Sequence, residues 1–320
     1  MGVITDKSVT IHVGLHKTAT TFLQERLFPA LPGIRFVHPL HVPRDDDGPV
    51  EKFVLECFFR NGACIDMQRH ERDITSWLET VDEGHVLISS EAIVGWPTEN
   101  HGNLRVNADL LHEMFPTAKI CLVTRRQDKW VDSAIAQAYR SGLATTPERY
   151  LNYRDGAFGR CNIGLYHGPN VDARDLSWDA FDRYYRRVFG ADAVLTLPFE
   201  RFVNDAAGFL AQFFTFFNID PCELPETSEQ INRRWSPRGV AVAKLVNHVP
   251  MPIQRFIRDK LGKRWHPSEV MARTVDRWVP SKKTTFIAPA LAAEIMALHA
   301  DTNRALAART GEDLGAFGYY

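Results

Sequence analysis

Cysteine is scarce and unpaired in this chain of 320 residues: there are five, an odd number, and none stands in a C-x-x-C pair. A disulfide framework or a zinc ribbon is therefore not expected, and reduced thiols in a cytoplasmic protein are. No run of roughly 18 apolar residues occurs, so no membrane span is expected. Met1 to Lys7 contains no apolar stretch of signal-peptide length. Charge of one sign is also missing. A net charge of −1 removes the bulk attraction that nucleic-acid binding needs, and no nucleic-acid partner is expected. The sequence shows no internal repeat, low-complexity tract or metal-ligand spacing. What remains is the composition of a globular protein, 45% hydrophobic and 24% charged.

Residues 9–23 are the most informative segment. A β-branched run ends at Gly14, and His16-Lys17-Thr18-Ala19-Thr20-Thr21 precedes an apolar pattern at helical spacing. This is a strand passing into a helix through an anion-binding turn. The helix start offers backbone N–H groups and the positive end of its dipole. Lys17 adds a full charge, and Thr18, Thr20 and Thr21 add hydroxyls. The nucleoside-triphosphatase pattern needs a glycine directly before the lysine and another five residues earlier. Here Gly14 stands alone, three residues before Lys17.

Strand and helix patterns then alternate. Strands are predicted over 8–13, 34–37, 85–89, 119–124 and 193–197. Helices are predicted over 19–29, near 50–60 and 66–80, and over 104–115, 127–141, 177–189, 205–217 and 287–309. Residues 142–176 read as irregular. The alternation implies an α/β fold, a central parallel sheet flanked by helices. Ligands should bind beyond the carboxyl ends of the strands. The expectation is a single domain over 1–320, with an α/β core over 8–218 and a mostly helical part over 219–320.

A second anion site is suggested where the fourth strand ends in Thr124-Arg125-Arg126, with Ser133 eight residues after Arg125. An arginine fork and a hydroxyl suit a phosphate. Taken together, the two sites resemble those of sulfotransferases that use 3′-phosphoadenosine-5′-phosphosulfate (PAPS), on a P-loop-like fold. In that family a K-x-G-T-T turn binds the 5′-phosphosulfate, and a later strand-end arginine with a serine eight residues on binds the 3′-phosphate. The resemblance assigns the first role to Gly14 and His16 through Thr21, the second to Arg125 and Ser133. Val194 to Phe202, a strand with a trailing acidic turn, and the helix end at Asn303 to Gly311 also look like the family. Ala19 stands where the family usually has glycine, a change that costs little provided the turn has helical dihedrals. The family's R-x-P turn is Arg126-Gln127-Asp128 here, and the spacing to Ser133 selects Arg125.

The resemblance implies in-line transfer of a sulfuryl group from PAPS to a hydroxyl or amine acceptor, a carbohydrate or small molecule. The product would be 3′,5′-adenosine bisphosphate, and no metal is required. Lys17 would stabilise the leaving phosphate. The candidate base is Glu91, just past the third strand, with its alternative role the capping of the next turn. His38 and His41 are competing bases, since relatives take theirs from near the second strand, and His16 is an orienting residue. Two basic loops compete to cover the nucleotide, one with Arg234 and Trp235, the other with Lys263 and Arg264. Loops 39–49, 92–103 and 143–176 should shape the acceptor site. A kinase or phosphotransferase, or a non-catalytic nucleotide-binding protein on the same fold, is the alternative.

Overall fold

Lys119–Thr124 carries apolar residues on both faces of the strand, which requires cover on both sides. The computed structural model meets that requirement. It describes residues 2–40, 43–141, 143, 145–160, 171–222, 237–247, 249, 253, 256, 271, 274–275 and 285–320. The strands are β1 (Ser8–Gly14), β2 (Ile34–Val37), β3 (His85–Ser89), β4 (Lys119–Thr124), β5 (Tyr153–Arg154), β6 (Ala157–Phe158) and β7 (Val194–Pro198). The helices are α1 (Thr20–Phe22), α2 (Pro49–Phe59), α3 (Met67–Glu79), α4 (Leu104–Met114), α5 (Gln127–Arg140), α6 (Pro147–Tyr150), α7 (Trp178–Phe189), α8 (Phe199–Asn204), α9 (Ala206–Phe217), α10 (Pro237–Asn247) and α11 (Pro289–Thr310).

The described chain divides into two compact units. The first comprises residues 1–126, 174–227 and 299–320. It holds a five-stranded sheet in the order β2-β3-β1-β4-β7, with every pair parallel. His12 pairs with Ser89 on one side and Cys121 on the other, and the register to β4 slips before Gly14. One core of this unit forms where Leu23, Leu27 and Phe28 meet Val123, Leu197, Phe209 and Phe213. Helix α9 supplies its phenylalanines at i, i+4 and i+8 (Phe209, Phe213, Phe217), all buried. The Asp205 carboxylate starts that helix by accepting from the Gly208 N–H at 2.8 Å, and Asn218, at φ 54°, ends it.

The second unit comprises residues 127–173 and 228–298. Within it the Asp132 carboxylate on α5 accepts from the backbone N–H of Phe286 at 2.6 Å. Strands β5 and β6 form an antiparallel hairpin inside the segment expected to be irregular. Its turn is Asp155-Gly156, with φ 51° and 77°, the left-handed pair a two-residue hairpin turn demands. That dipeptide was the available sequence signal.

The expected helix at 19–29 is also modified. Three α-helical residues give way to a π-helical turn over Leu23–Leu27 and a 3₁₀ turn over Phe28–Ala30. Pro29 has no N–H to bond back into the helix, and its ring crowds the carbonyl four residues earlier. The backbone widens ahead of it, with the Phe28 N–H bonding to the Leu23 carbonyl.

Candidate functional site

In a parallel sheet the ligand crevice lies where the strand order reverses. From β1 the chain continues to β2 and β3 on one side, then crosses to β4 and β7 on the other. The reversal falls between β1 and β4, and the Lys17 turn and Arg125 leave the sheet there.

The turn is built by close approach and unusual dihedrals. Gly14 has φ 78°, and a Cβ on it would lie 3.0 Å from the Glu91 Cβ. Glycine therefore lets the end of β1 run against Glu91. The Leu15 N–H donates to the Val123 carbonyl at 2.8 Å. Lys17 and Ala19 are both left-handed, at φ 68° and 61°. The expectation that Ala19 sits in helical dihedrals is thus corrected. Its Cβ crowds the following carbonyl, a strain of about 1–2 kcal/mol that glycine would not carry. Thr18 is buried, and its hydroxyl donates to the Leu15 carbonyl at 2.5 Å, closing the turn on itself.

Two side chains one helical turn apart tie the helix after this turn to the exit of β3. The Thr20 hydroxyl donates to Glu91 Oε2 at 2.5 Å. Gln24 Nε2 donates to the Ser89 hydroxyl at 3.0 Å. The same hydroxyl meets His12 Nδ1 at 2.8 Å. His12 is fully buried with its ring edge against Phe28, and burial, then His38, pushes its pKa down to about 3. Thr21 is half-buried on α1.

Arg125 and Arg126 diverge. Arg125 Nη1 donates to the Lys17 carbonyl at 2.6 Å, and its guanidinium lies 5.0 Å from the Phe199 ring centroid. Its own carbonyl accepts from the Trp178 indole N–H at 2.6 Å. Arg126 turns away, donating to the Phe317 carbonyl at 3.4 Å. Of the two, Arg125 is the one bonded to the Lys17 turn.

His16 is buried against an aromatic wall, its ring centroid 5.4 Å from Trp96 and 6.2 Å from His101. His101 Nδ1 donates to the carbonyls of Val94 and Gly95, both at 3.0 Å. Burial, partly opposed by those bonds, lowers its pKa to about 4.

The structure thus gathers Gly14, His16 to Thr21, Glu91 and Arg125 at one strand-end site. His38 lies just past β2, half-buried and stacked on Phe36 at 5.9 Å. Ser133 is half-buried on α5, in the second unit. His41, Arg234, Trp235, Lys263 and Arg264 lie outside the described residues. Among the described residues, no group of three His, Cys, Asp or Glu side chains is placed to hold a metal, and no helix is long and apolar enough to cross a membrane. Sequence reasoning missed Trp178, Gln24, Trp96 and His101. Their roles come from contacts across the fold, and the only local signal was the helical spacing of Thr20 and Gln24.

No protein-family model and no curated protein sequence matches the chain. Among solved structures it is similar to a sulfotransferase from Alicyclobacillus acidocaldarius, at 16% identity and a TM-score of 0.48, covering 86% of this chain and 97% of that one. It is similar to mouse sulfotransferase SULT7A1 complexed with PAP, at 12% identity and a TM-score of 0.36, covering 87% and 91%. A third is the sulfotransferase domain from the curacin biosynthetic pathway, at 13% identity and a TM-score of 0.39, covering 93% and 97%.

Proposed function

We propose that this chain is a sulfotransferase that moves a sulfuryl group from PAPS to a hydroxyl-bearing acceptor. The observation that carries the reading is the bond from Arg125 to the Lys17 carbonyl. It joins the turn suited to the 5′-phosphosulfate with the arginine suited to the 3′-phosphate, at the place where the strand order reverses. A donor with phosphate at two positions calls for two cationic residues, and Lys17 and Arg125 supply them.

In the reaction the acceptor oxygen attacks sulfur as the bond from sulfur to the 5′-phosphate oxygen breaks. That oxygen keeps the electron pair and gains charge. Lys17 and the N–H groups of the turn supply positive charge for it. The proton lost by the acceptor needs a base at the same strand ends. Glu91 is that base on this reading: its carboxylate stands beside Thr20, two residues past β3.

A carboxylate against a hydroxyl next to an anion-binding turn would also suit a magnesium-nucleotide enzyme, and ligand stabilisation distinguishes the two. 3′,5′-Adenosine bisphosphate should raise the melting temperature well above the effect of ATP with magnesium. Equal stabilisation by both ends the sulfotransferase reading. Lys17→Ala should abolish transfer from PAPS to an acceptor while the protein stays folded.

A further inference from the structure

The acidic turn after β7 and the end of α11 are left unexplained by the reaction, and they meet. Tyr319 is completely buried, and its hydroxyl donates to Glu200 Oε2 at 2.8 Å. Glu200 Oε1 accepts from the backbone N–H of Arg126 at 3.1 Å. Asn303 on α11, also fully buried, donates to the Tyr319 carbonyl at 2.9 Å. Arg201 holds the same segment through the buried Glu312 carboxylate, with oxygens at 2.7 and 2.8 Å. Gly318 has φ 75°, a conformation that favours glycine, and a Cβ on it would lie 2.9 Å from Arg126 Nη1.

These bonds converge on one peptide unit. The Arg125 carbonyl is held by the Trp178 indole and the Arg126 N–H by Glu200. Both ends of the 125–126 peptide are thus fixed, and the Arg125 side chain that reaches the Lys17 carbonyl springs from it. We infer that Tyr319 is a positioning residue for the anion site: through Glu200 it sets the 125–126 peptide, and through Arg125 it sets the Lys17 turn. Tyr319 touches no reacting atom. Its burial keeps the phenol protonated far above its ordinary range, so the hydroxyl proton stays available to Glu200. What the positioned turn binds rests on the sulfotransferase reading; the clamp itself does not.

Tyr319→Phe removes the hydroxyl with little change of volume. Hydrogen exchange, read at the Arg126 amide and across residues 15–21, tests the clamp without a ligand. The expected result is about tenfold faster exchange there, the loss of one hydrogen bond to a charged group, with amides of β3 and α9 unchanged. Uniform acceleration across the first unit, or no change at Arg126, overturns the inference. Binding of 3′,5′-adenosine bisphosphate is then titrated against both proteins. A Kd about tenfold weaker in the variant, with kcat for PAPS-dependent transfer retained and KM for PAPS raised, supports it. Equal Kd values overturn it. If the wild-type protein does not bind this nucleotide at all, the sulfotransferase reading falls, and the exchange result still decides the clamp. Glu200→Gln keeps an acceptor for the Arg126 N–H and should be milder than Glu200→Ala; the reverse order also overturns it.

Discussion

The guanidinium of Arg125 donates to the carbonyl of Lys17, so a side chain at the end of β4 supports the backbone of the turn that follows β1. The bond is between residues 108 positions apart and holds a lysine in the left-handed region. Arg125 therefore has a structural part as well as the anion-binding part proposed for it.

A lysine cannot reproduce both. Arg125→Lys keeps the charge but loses the planar fork. The expected outcome is a fall of about 10- to 100-fold in affinity for 3′,5′-adenosine bisphosphate, equivalent to about 1.5–3 kcal/mol for a hydrogen bond to a charged group. Isothermal titration measures it. An unchanged Kd places the second phosphate elsewhere.

Ala19 is strained where glycine would not be. Ala19→Gly removes the clash of its Cβ at φ 61°, and the greater freedom of the unfolded chain offsets part of that gain. The expected net is a stabilisation of about 0.5–1 kcal/mol, read as a higher urea midpoint at constant slope. A lower midpoint shows that the turn relaxes around alanine.

Glu91 is proposed to take the acceptor's proton. Glu91→Gln leaves an amide oxygen to accept from Thr20 but removes the base. With an acceptor in hand, kcat should fall by about 10²- to 10⁴-fold with little change in nucleotide affinity. Near-full activity moves the role to His38 or His41.

Three buried histidines make the fold acid-sensitive. Burial lowers His12 to about 3 and His101 to about 4, and burial, then the charge of Lys119, lowers His85 to about 4. The unfolded chain takes up protons below the ordinary value of 6.5 while the folded chain does not. Stability is therefore full above that pH and falls as pH drops from 6.5 toward 4, and further toward 3 through His12. Each such proton contributes a slope of about 1.4 kcal/mol per pH unit. Denaturant titrations between pH 6 and 4 should show a slope shallower by about one proton in His12→Gln. An identical slope means His12 is protonated in the native state.

Much of the frame is visible in the chain because its causes are local. The apolar run Lys119 to Thr124 has to be a covered strand, and its ends match the prediction. Gly14 followed by Lys17 and the threonines marks where β1 turns into the next helix. The handedness of Ala19 was not visible, because it belongs to a turn held by Arg125 from another strand. Nor was the partner of Glu91: the Thr20 contact spans 71 positions and depends on the neighbouring placement of β1 and β3. Asp155-Gly156, by contrast, was legible as a hairpin turn and lay inside a segment read only for its irregularity.

The Thr20 hydroxyl has one proton, and in this structure it goes to Glu91. A phosphate oxygen seated in the turn accepts hydrogen bonds and donates none when fully ionised. Whenever Thr20 serves such an oxygen, its proton is withdrawn from Glu91, and a carboxylate lone pair becomes available for another donor. Under the proposed function, occupancy of the donor end would reach the carboxylate by reassignment of that single hydrogen bond.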